Sequence, residues 1–306
     1  MTGLSRPESG HNTGLAVLWM MLALACFCLL AIASRELTAS LGTLEILFWR
    51  SLLGWLIVVT LLLRSGGLGV VRMPRRILGW HFMRNSSHFF AQCAWLIAIA
   101  ALPLAEVFAI EFTTPLWAAL LAALFMGEPL SRGRWISLVL GLVGVLFILR
   151  PGSAAINPAS LILLAGAVGF GLSAISTRRL TQLLPDNPQV FLVILFYMTG
   201  MQACFSLVPI VTALHLPDSV NWIWLLAAAT TALGAHYCLS RALSLADAAV
   251  VMPLDYLRLP LIMLLAWLIY GETVSLSLLA GSALIVAGNA AGLYLEARRL
   301  KARAYG

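Results

Sequence analysis

Charge is what this sequence has least of. Only 10% of its 306 residues are Asp, Glu, Lys or Arg, against roughly a quarter in an ordinary soluble domain. So few charges cannot cover a water-facing surface, and with 61% apolar residues and a mean hydropathy of +0.97 the main solvent must be lipid. Lysine is almost missing: Lys301 stands beside eighteen arginines. No glycine-rich phosphate loop is present, which argues against an ATP-driven pump. The five cysteines (Cys26, Cys28, Cys93, Cys204, Cys238) all fall in apolar runs without metal-ligand spacing, since Cys26 and Cys28 point to nearly opposite faces of a helix. They read as small buried apolar side chains, and neither a metal nor a cofactor is expected. Loops long enough for a soluble domain are lacking too. The short ones offer only Arg35-Glu36, Pro185-Asp186 and His215 with Asp218, none spaced as a catalytic dyad. A membrane-embedded transferase, the alternative from another class, is therefore disfavoured, and no enzyme activity is expected.

What the sequence has is apolar runs of spanning length, at about 15–34, 44–63, 77–100, 103–126, 132–149, 158–177, 189–213, 221–243, 246–270 and 274–295. Ala31-Ile32-Ala33 resembles a signal cleavage site, but only Arg6 precedes the first run, which is long for a signal peptide, so it is kept as a helix. The net charge of +7 sits in short clusters between runs rather than on one face, which excludes nucleic acid as a partner. With the N-terminus inside, the inner segments carry Arg6, Arg64, Arg72, Arg75, Arg76, Arg132, Arg134, Arg178, Arg179, Arg298, Arg299, Lys301 and Arg303, whereas outer loops carry Arg35 and Arg150. Thirteen against two predicts both termini in the cytoplasm.

The chain also repeats itself. Ser34-Arg35-Glu36-Leu37-Thr38 matches Thr177-Arg178-Arg179-Leu180-Thr181, Ala101 to Glu106 matches Ala242 to Asp247, and Gly127-Glu128 matches Gly271-Glu272. Pro115 and Pro260 precede the Gly-Glu pairs, and Gly144 and Gly288 follow them, at offsets of 141 to 145. Five crossings per copy force the second copy upside down. The expected fold is an all-α integral membrane protein of ten transmembrane helices in two inverted five-helix repeats. Its expected parts are a cytoplasmic tail (1–14), a first repeat (15–150), a periplasmic linker (151–157), a second repeat (158–296) and a basic cytoplasmic tail (297–306).

The mid-helix prolines, the Gly-Glu at the helix ends and the glycine-spaced final helices resemble the EamA domains of the drug/metabolite transporter superfamily, in two tandem copies over nearly the whole chain. The resemblance implies a multi-pass carrier of the bacterial inner membrane working by alternating access. Most such carriers export amino acids or related metabolites, and some import vitamins, nucleotides or methyl donors. It further implies a cavity lined by the third, fourth, eighth and ninth helices. The copies differ there: Asp255-Tyr256-Leu257-Arg258 stands where the first has Glu111-Phe112-Thr113-Thr114.

Charges within spanning helices are costly and mark function or internal ion pairs. Arg50 and Glu111 lie at similar depth and are expected to pair. Asp255 and Arg258 share a face three residues apart, and Arg84 offers Asp255 a second partner. Arg241 is a further ion-pair candidate. Arg84, His88 and Gln92 form one stripe at i, i+4 and i+8, and His236, Tyr237 and Arg241 lie on the eighth helix. Arginine suits bidentate capture of a carboxylate. The expected cargo contacts are Arg84, His88, Gln92, Phe112, His236, Tyr237, Tyr256 and Arg258, with Glu111 and Asp255 for proton coupling and Pro115 and Pro260 as hinges. Gly288 and Gly292 offer a small-xxx-small face for internal packing or dimerisation. Glu128 and Glu272 are expected to cap or anchor loops at helix ends.

The function expected is export of a small polar or zwitterionic metabolite, such as an amino acid or an amino-acid-derived metal chelator, driven by a proton or substrate gradient. Import of a vitamin, nucleotide or methyl donor is the alternative. The expected partners are the lipid bilayer and the small-molecule cargo, with the chain a monomer or homodimer.

Overall fold

In a computed structural model, the structure describes residues 12–127, 130–149, 157–184, 189–246 and 248–304. Glu128, Arg150, Pro185, Asp186, Asp247, most of the expected N-terminal tail and nearly all of the linker lie outside the described residues. Twelve α-helices run through the rest, with no strand among the described residues. They are α1 (Thr13–Thr38), α2 (Thr43–Arg64), α3 (Arg75–Ala101), α4 (Leu104–Glu111), α5 (Thr114–Met126), α6 (Arg132–Leu149), α7 (Pro158–Leu183), α8 (Val190–Ile210), α9 (Ser219–Leu245), α10 (Ala248–Asp255), α11 (Arg258–Tyr270) and α12 (Leu276–Ala304).

The pairs α4–α5 and α10–α11 each make one broken spanning segment, so ten segments cross. Nine of them are long and apolar enough to span by composition. The tenth, α3, is long at 27 residues but carries the polar stripe. Side chains lend caps where chemistry allows: Asn12, Asn157 and Asp218 accept from the backbone amides of Leu15, Ala159 and Asn221.

The second half repeats the first helix for helix. α1 and α7 have 26 residues each, α3 and α9 27, α4 and α10 8, α5 and α11 13. The packing repeats as well: α1 lies on α9 as α3 lies on α7, while α2–α8 and α6–α12 pair across the halves. Gly127 and Gly271 end α5 and α11 in the same left-handed conformation, each with φ of 65°, which glycine adopts without strain.

From α3 onward one offset, 144, holds: Arg75 with Ser219, Leu104 with Ala248, Thr114 with Arg258 and Arg132 with Leu276 begin equivalent helices. Two expected correspondences are thereby corrected. Ala101–Glu106 and the stretch from Ala242, at offset 141, are out of register by three. Pro115 and Pro260, at 145, are out by one. Equal helix lengths set the register, and the residue types at the breaks tolerate a slip.

Each proline is accompanied by a break in its helix. The breaks fall at Phe112–Thr113 and Tyr256–Leu257, ahead of each proline. Proline cannot donate to the carbonyl four residues back, which is Glu111 for Pro115 and Tyr256 for Pro260, and it disfavours helix in the preceding residue. The chain bridges the gaps with tighter turns, such as Thr113 N to Ile110 O at 3.0 Å and Leu257 N to Leu254 O at 3.1 Å.

The glycine face is used within the molecule. A Cβ on Gly292 would strike Ser137 and the Gly133 carbonyl, and one on Gly144 would lie 2.6 Å from the Gly281 carbonyl, so α6 and α12 touch backbone to backbone.

Candidate functional site

The two helix breaks bring the buried acids together. Glu111 ends α4 and Asp255 ends α10 at equivalent positions of the two halves. Arg258, the first residue of α11, donates to both: Nη1 to Glu111 Oε1 at 3.2 Å and Nη2 to Asp255 Oδ2 at 3.0 Å. The second Glu111 oxygen accepts from Trp95 Nε1 at 2.8 Å. The guanidinium carbon lies 4.4 Å from the Phe27 ring centroid, 4.9 Å from Phe112 and 5.5 Å from Phe108, an aromatic enclosure that suits a weakly hydrated cation. Phe112 also meets the ring of Tyr256, its counterpart in the second half, at 5.7 Å.

The local Asp255–Arg258 pair is thus present, but two other expected partnerships are not. Arg50 does not pair with Glu111, because Arg258 and Trp95 already occupy that carboxylate. Arg50 Nη2 instead donates to Gln92 Oε1 at 2.9 Å, and its Nη1 has no partner. Arg84 does not reach Asp255. Its Nε donates to Thr177 Oγ1 at 3.2 Å and its Nη1 to Asn85 Oδ1 at 2.8 Å.

Arg50, Arg84 and His88 form a second constellation between α2, α3, α7 and α8. The Gln202 amide nitrogen lies 2.6 Å from His88 Nδ1, and the Ser51 hydroxyl donates to Gln202 Oε1 at 3.5 Å. The guanidinium charges of Arg50 and Arg84 both bear on His88. Both arginines are buried, at 6% and 5% exposure, and no carboxylate among the described residues pairs with either. Their partners are neutral amides and a hydroxyl, so the cluster keeps two uncompensated positive charges where desolvation makes them expensive. An anionic or acceptor-rich guest would offset that cost.

On α9, His236 turns inward with its ring 6.3 Å from Phe27. Tyr237 and Arg241 do not join this cluster. They lie on the exposed side of α9 with Ile223 and Leu226, Tyr237 packs edge-on against Trp19, and Arg241 forms no ion pair among the described residues. The reason is rotational: α9 turns Leu225, Ala228, Ala235 and Ala242 into the core, leaving the Tyr237 side outside.

The end of the bundle that holds Arg35 is tied together by polar contacts. Glu272 Oε1 pairs with Arg35 at 3.1 Å, and its Oε2 accepts from the Leu104 amide at 2.7 Å, capping α4, while Arg35 also donates to Leu102 O at 2.6 Å. Tyr270 donates to Glu36 at 2.8 Å, and Ser160 to Glu106 at 2.8 Å.

Sequence reasoning missed Phe27 and Phe108, which nothing sets apart from other apolar residues. It also missed Gln202 and Asn289, each an amide in an apolar run and so findable by the rule applied to charges. Asn289 Nδ2 donates to the Phe112 carbonyl at 2.9 Å, holding the first break.

The profile of the EamA-like transporter family matches residues 14–150 and 157–291. The chain belongs to the EamA-like transporter family. It is therefore a multi-pass membrane transporter of the drug/metabolite transporter superfamily rather than an enzyme. It is 32% identical over 286 residues to a riboflavin transporter of Rhizobium johnstonii, covering 92% of each chain. It is 27% identical over 278 residues to a pseudopaline exporter of Pseudomonas aeruginosa, covering 88% of this chain and 93% of that one. An S-adenosylmethionine uptake transporter of Rickettsia prowazekii is 22% identical over 287 residues, covering 94% and 95%. A solved crystal structure shares this fold with a TM-score of 0.64 at 23% identity, over 93% of this chain and 98% of that one.

Proposed function

We propose that this protein carries a small, acceptor-rich polar metabolite of the riboflavin kind across the bacterial inner membrane by alternating access. The observation that carries the reading is the buried Arg50–Arg84–His88 constellation, which has no carboxylate partner among the described residues and needs acceptor oxygens from a guest. Riboflavin has imide carbonyls and a polyol that fit such donors, and the riboflavin transporters among the relatives support it. Cargo binds at the centre, contacted by Arg84, His88, Gln92 and His236, while the Arg35 end is held closed by Glu272. Both termini lie in the cytoplasm, so the Arg64 end faces inward. The gradient of protons or of cargo supplies the energy, with Glu111 and Asp255 as the exchangeable acids beside Arg258.

The test is counterflow of labelled riboflavin in proteoliposomes. Saturable counterflow, lost at least tenfold in Arg50→Gln, is the expected result, and its absence in the unmodified protein overturns the reading. If Glu111→Gln and Asp255→Asn both leave flux and its pH dependence intact, the coupling role is wrong.

A second reading, export of a zwitterionic amino-acid-derived compound, is favoured by charge separation: two acids share Arg258 while Arg50 and Arg84 have none. The similarity to a pseudopaline exporter agrees with it. A deletion strain that accumulates one such compound inside the cell would support this reading. Loss of the compound from inside the cell would sink it.

A further inference from the structure

The polar stripe on α3 begins before Arg84. His81, Asn85, His88 and Gln92 advance by four, three and four residues, which keeps them on one helix face, with Arg84 at its edge. His81 is fully buried, and neither ring nitrogen has a hydrogen-bond partner. A neutral imidazole brings one donor and one acceptor, and each left unmet in an interior costs about 1–3 kcal/mol. Arg84, whose charge bears on His81, uses only two of its five N–H donors, toward Thr177 and Asn85.

What covers His81 is a strap. The ring of Tyr197 on α8 lies over the imidazole, with centroids 4.3 Å apart and planes tilted by 32°. The Tyr197 hydroxyl donates to the Val71 carbonyl at 2.5 Å. Val71 ends a short 3-10 turn, Leu68–Val71, in the connection from α2 to α3. Val70 and Val71 pack onto Val58, Leu62, Leu195 and Met198, and Gln189 donates to the Ser65 carbonyl at 2.6 Å. The connection therefore crosses the α2–α8 seam at the Arg64 end, held down by Tyr197.

We propose that His81, with Arg84 shared from the central constellation, forms a second binding station for the oxygen acceptors of the cargo, uncovered when the strap lifts and Tyr197 swings away. The station rests on the transport reading above. It lies between the Arg64 end and the central Arg50–His88 site. The stripe from His81 to Gln92 is eleven residues long, or ~16 Å at 1.5 Å per residue, so a small molecule passes from one station to the next within about its own length. Filling the station supplies the partners His81 lacks, and covering it with Tyr197 closes the path behind the cargo.

The test uses full-length protein and labelled riboflavin as probe. For His81→Phe the expectation is equilibrium binding within twofold of the unmodified protein but initial flux at least tenfold lower. Arg50→Gln, in contrast, loses binding itself by at least tenfold. His81→Asn, which retains a donor and an acceptor, should recover part of the flux, and that recovery separates a binding role from a packing defect. Tyr197→Phe frees the strap and should speed thiol labelling of the His81→Cys variant. Unchanged flux in His81→Phe, alongside an active unmodified protein, overturns the station and leaves the transport reading standing. Parallel loss of binding and flux overturns it too, since His81 would then belong to the central site. An unmodified protein that neither binds nor moves riboflavin overturns the reading and the station together.

Discussion

Arg258 binds Glu111 at 3.2 Å across the two halves of the molecule. The acid and its counterpart Asp255 sit at equivalent helix breaks, but position 114, the counterpart of Arg258, is threonine. One cation thus serves two symmetry-related acids, and the pseudo-twofold is broken where the halves meet. In the alternating-access reading proposed above, rocking one repeat against the other loosens this cross-half bridge in every cycle.

Substitutions in this triad should be non-additive. Asp255→Asn leaves Arg258 paired with Glu111, and Glu111→Gln leaves it paired with Asp255, so each single change should cost no more than about 1–2 kcal/mol. The double variant strands a buried cation, for which about 3–5 kcal/mol is typical. The double-mutant cycle should accordingly give a coupling above about 1 kcal/mol, read from denaturant unfolding in detergent. Simple additivity would mean that the two acids do not share Arg258. Arg258→Lys should also lose transport at least tenfold, since a point charge cannot bridge both acids and lie flat among three phenylalanine rings.

The α6–α12 contact makes a simple forecast. Gly144→Ala places a Cβ 2.6 Å from the Gly281 carbonyl and 2.7 Å from Ile285, so the helices must separate at a cost of about 1–3 kcal/mol. Gly79, with no atom near its missing Cβ, is the control: Gly79→Ala should hold or raise stability by about 0.5–1 kcal/mol. The thermal midpoint should fall in Gly144→Ala and should not fall in Gly79→Ala.

These contacts separate what a reader of the chain can and cannot see. The ten segments and the repeat were legible because lipid demands long apolar runs and because Gly127 and Gly271 end their helices alike. The Asp255–Arg258 pair was legible because helix geometry places residues three apart on one face. Arg50 was assigned the wrong partner because depth along a helix says nothing of rotation about its axis, and only packing turned Arg50 toward Gln92. Rotation likewise decided Tyr237, which the packing of α9 against α1 leaves outside. The Phe27 and Phe108 walls of the Arg258 enclosure carry no mark in a chain with 13 phenylalanines.

Glu272 ties the Arg35 end at two points, and losing it should be felt at the start of α4. Glu272→Ala removes the cap on the Leu104 amide, worth about 1 kcal/mol, and releases Arg35. Hydrogen exchange of the amides from Leu104 to Val107 should quicken about fivefold, the factor that 1 kcal/mol implies. Exchange confined to its original rate would show that the carboxylate does not hold this end.

The break before Pro115 is held open by two devices that can be removed separately. Proline denies the Glu111 carbonyl its donor, and Asn289 engages the Phe112 carbonyl from α12. In Pro115→Ala the backbone regains that donor, so α4 and α5 can join into one helix and stability should stay level or rise. Turnover should fall several-fold if the break is what allows the half-helices to move independently. In Asn289→Leu the Phe112 carbonyl loses its partner in an interior without water, at about 1–3 kcal/mol, and both stability and turnover should drop. Thermal midpoint and initial flux measured on the same preparations separate the cases. A Pro115→Ala protein that is at least as stable and equally fast would show that the break shapes the bundle without serving the transport cycle.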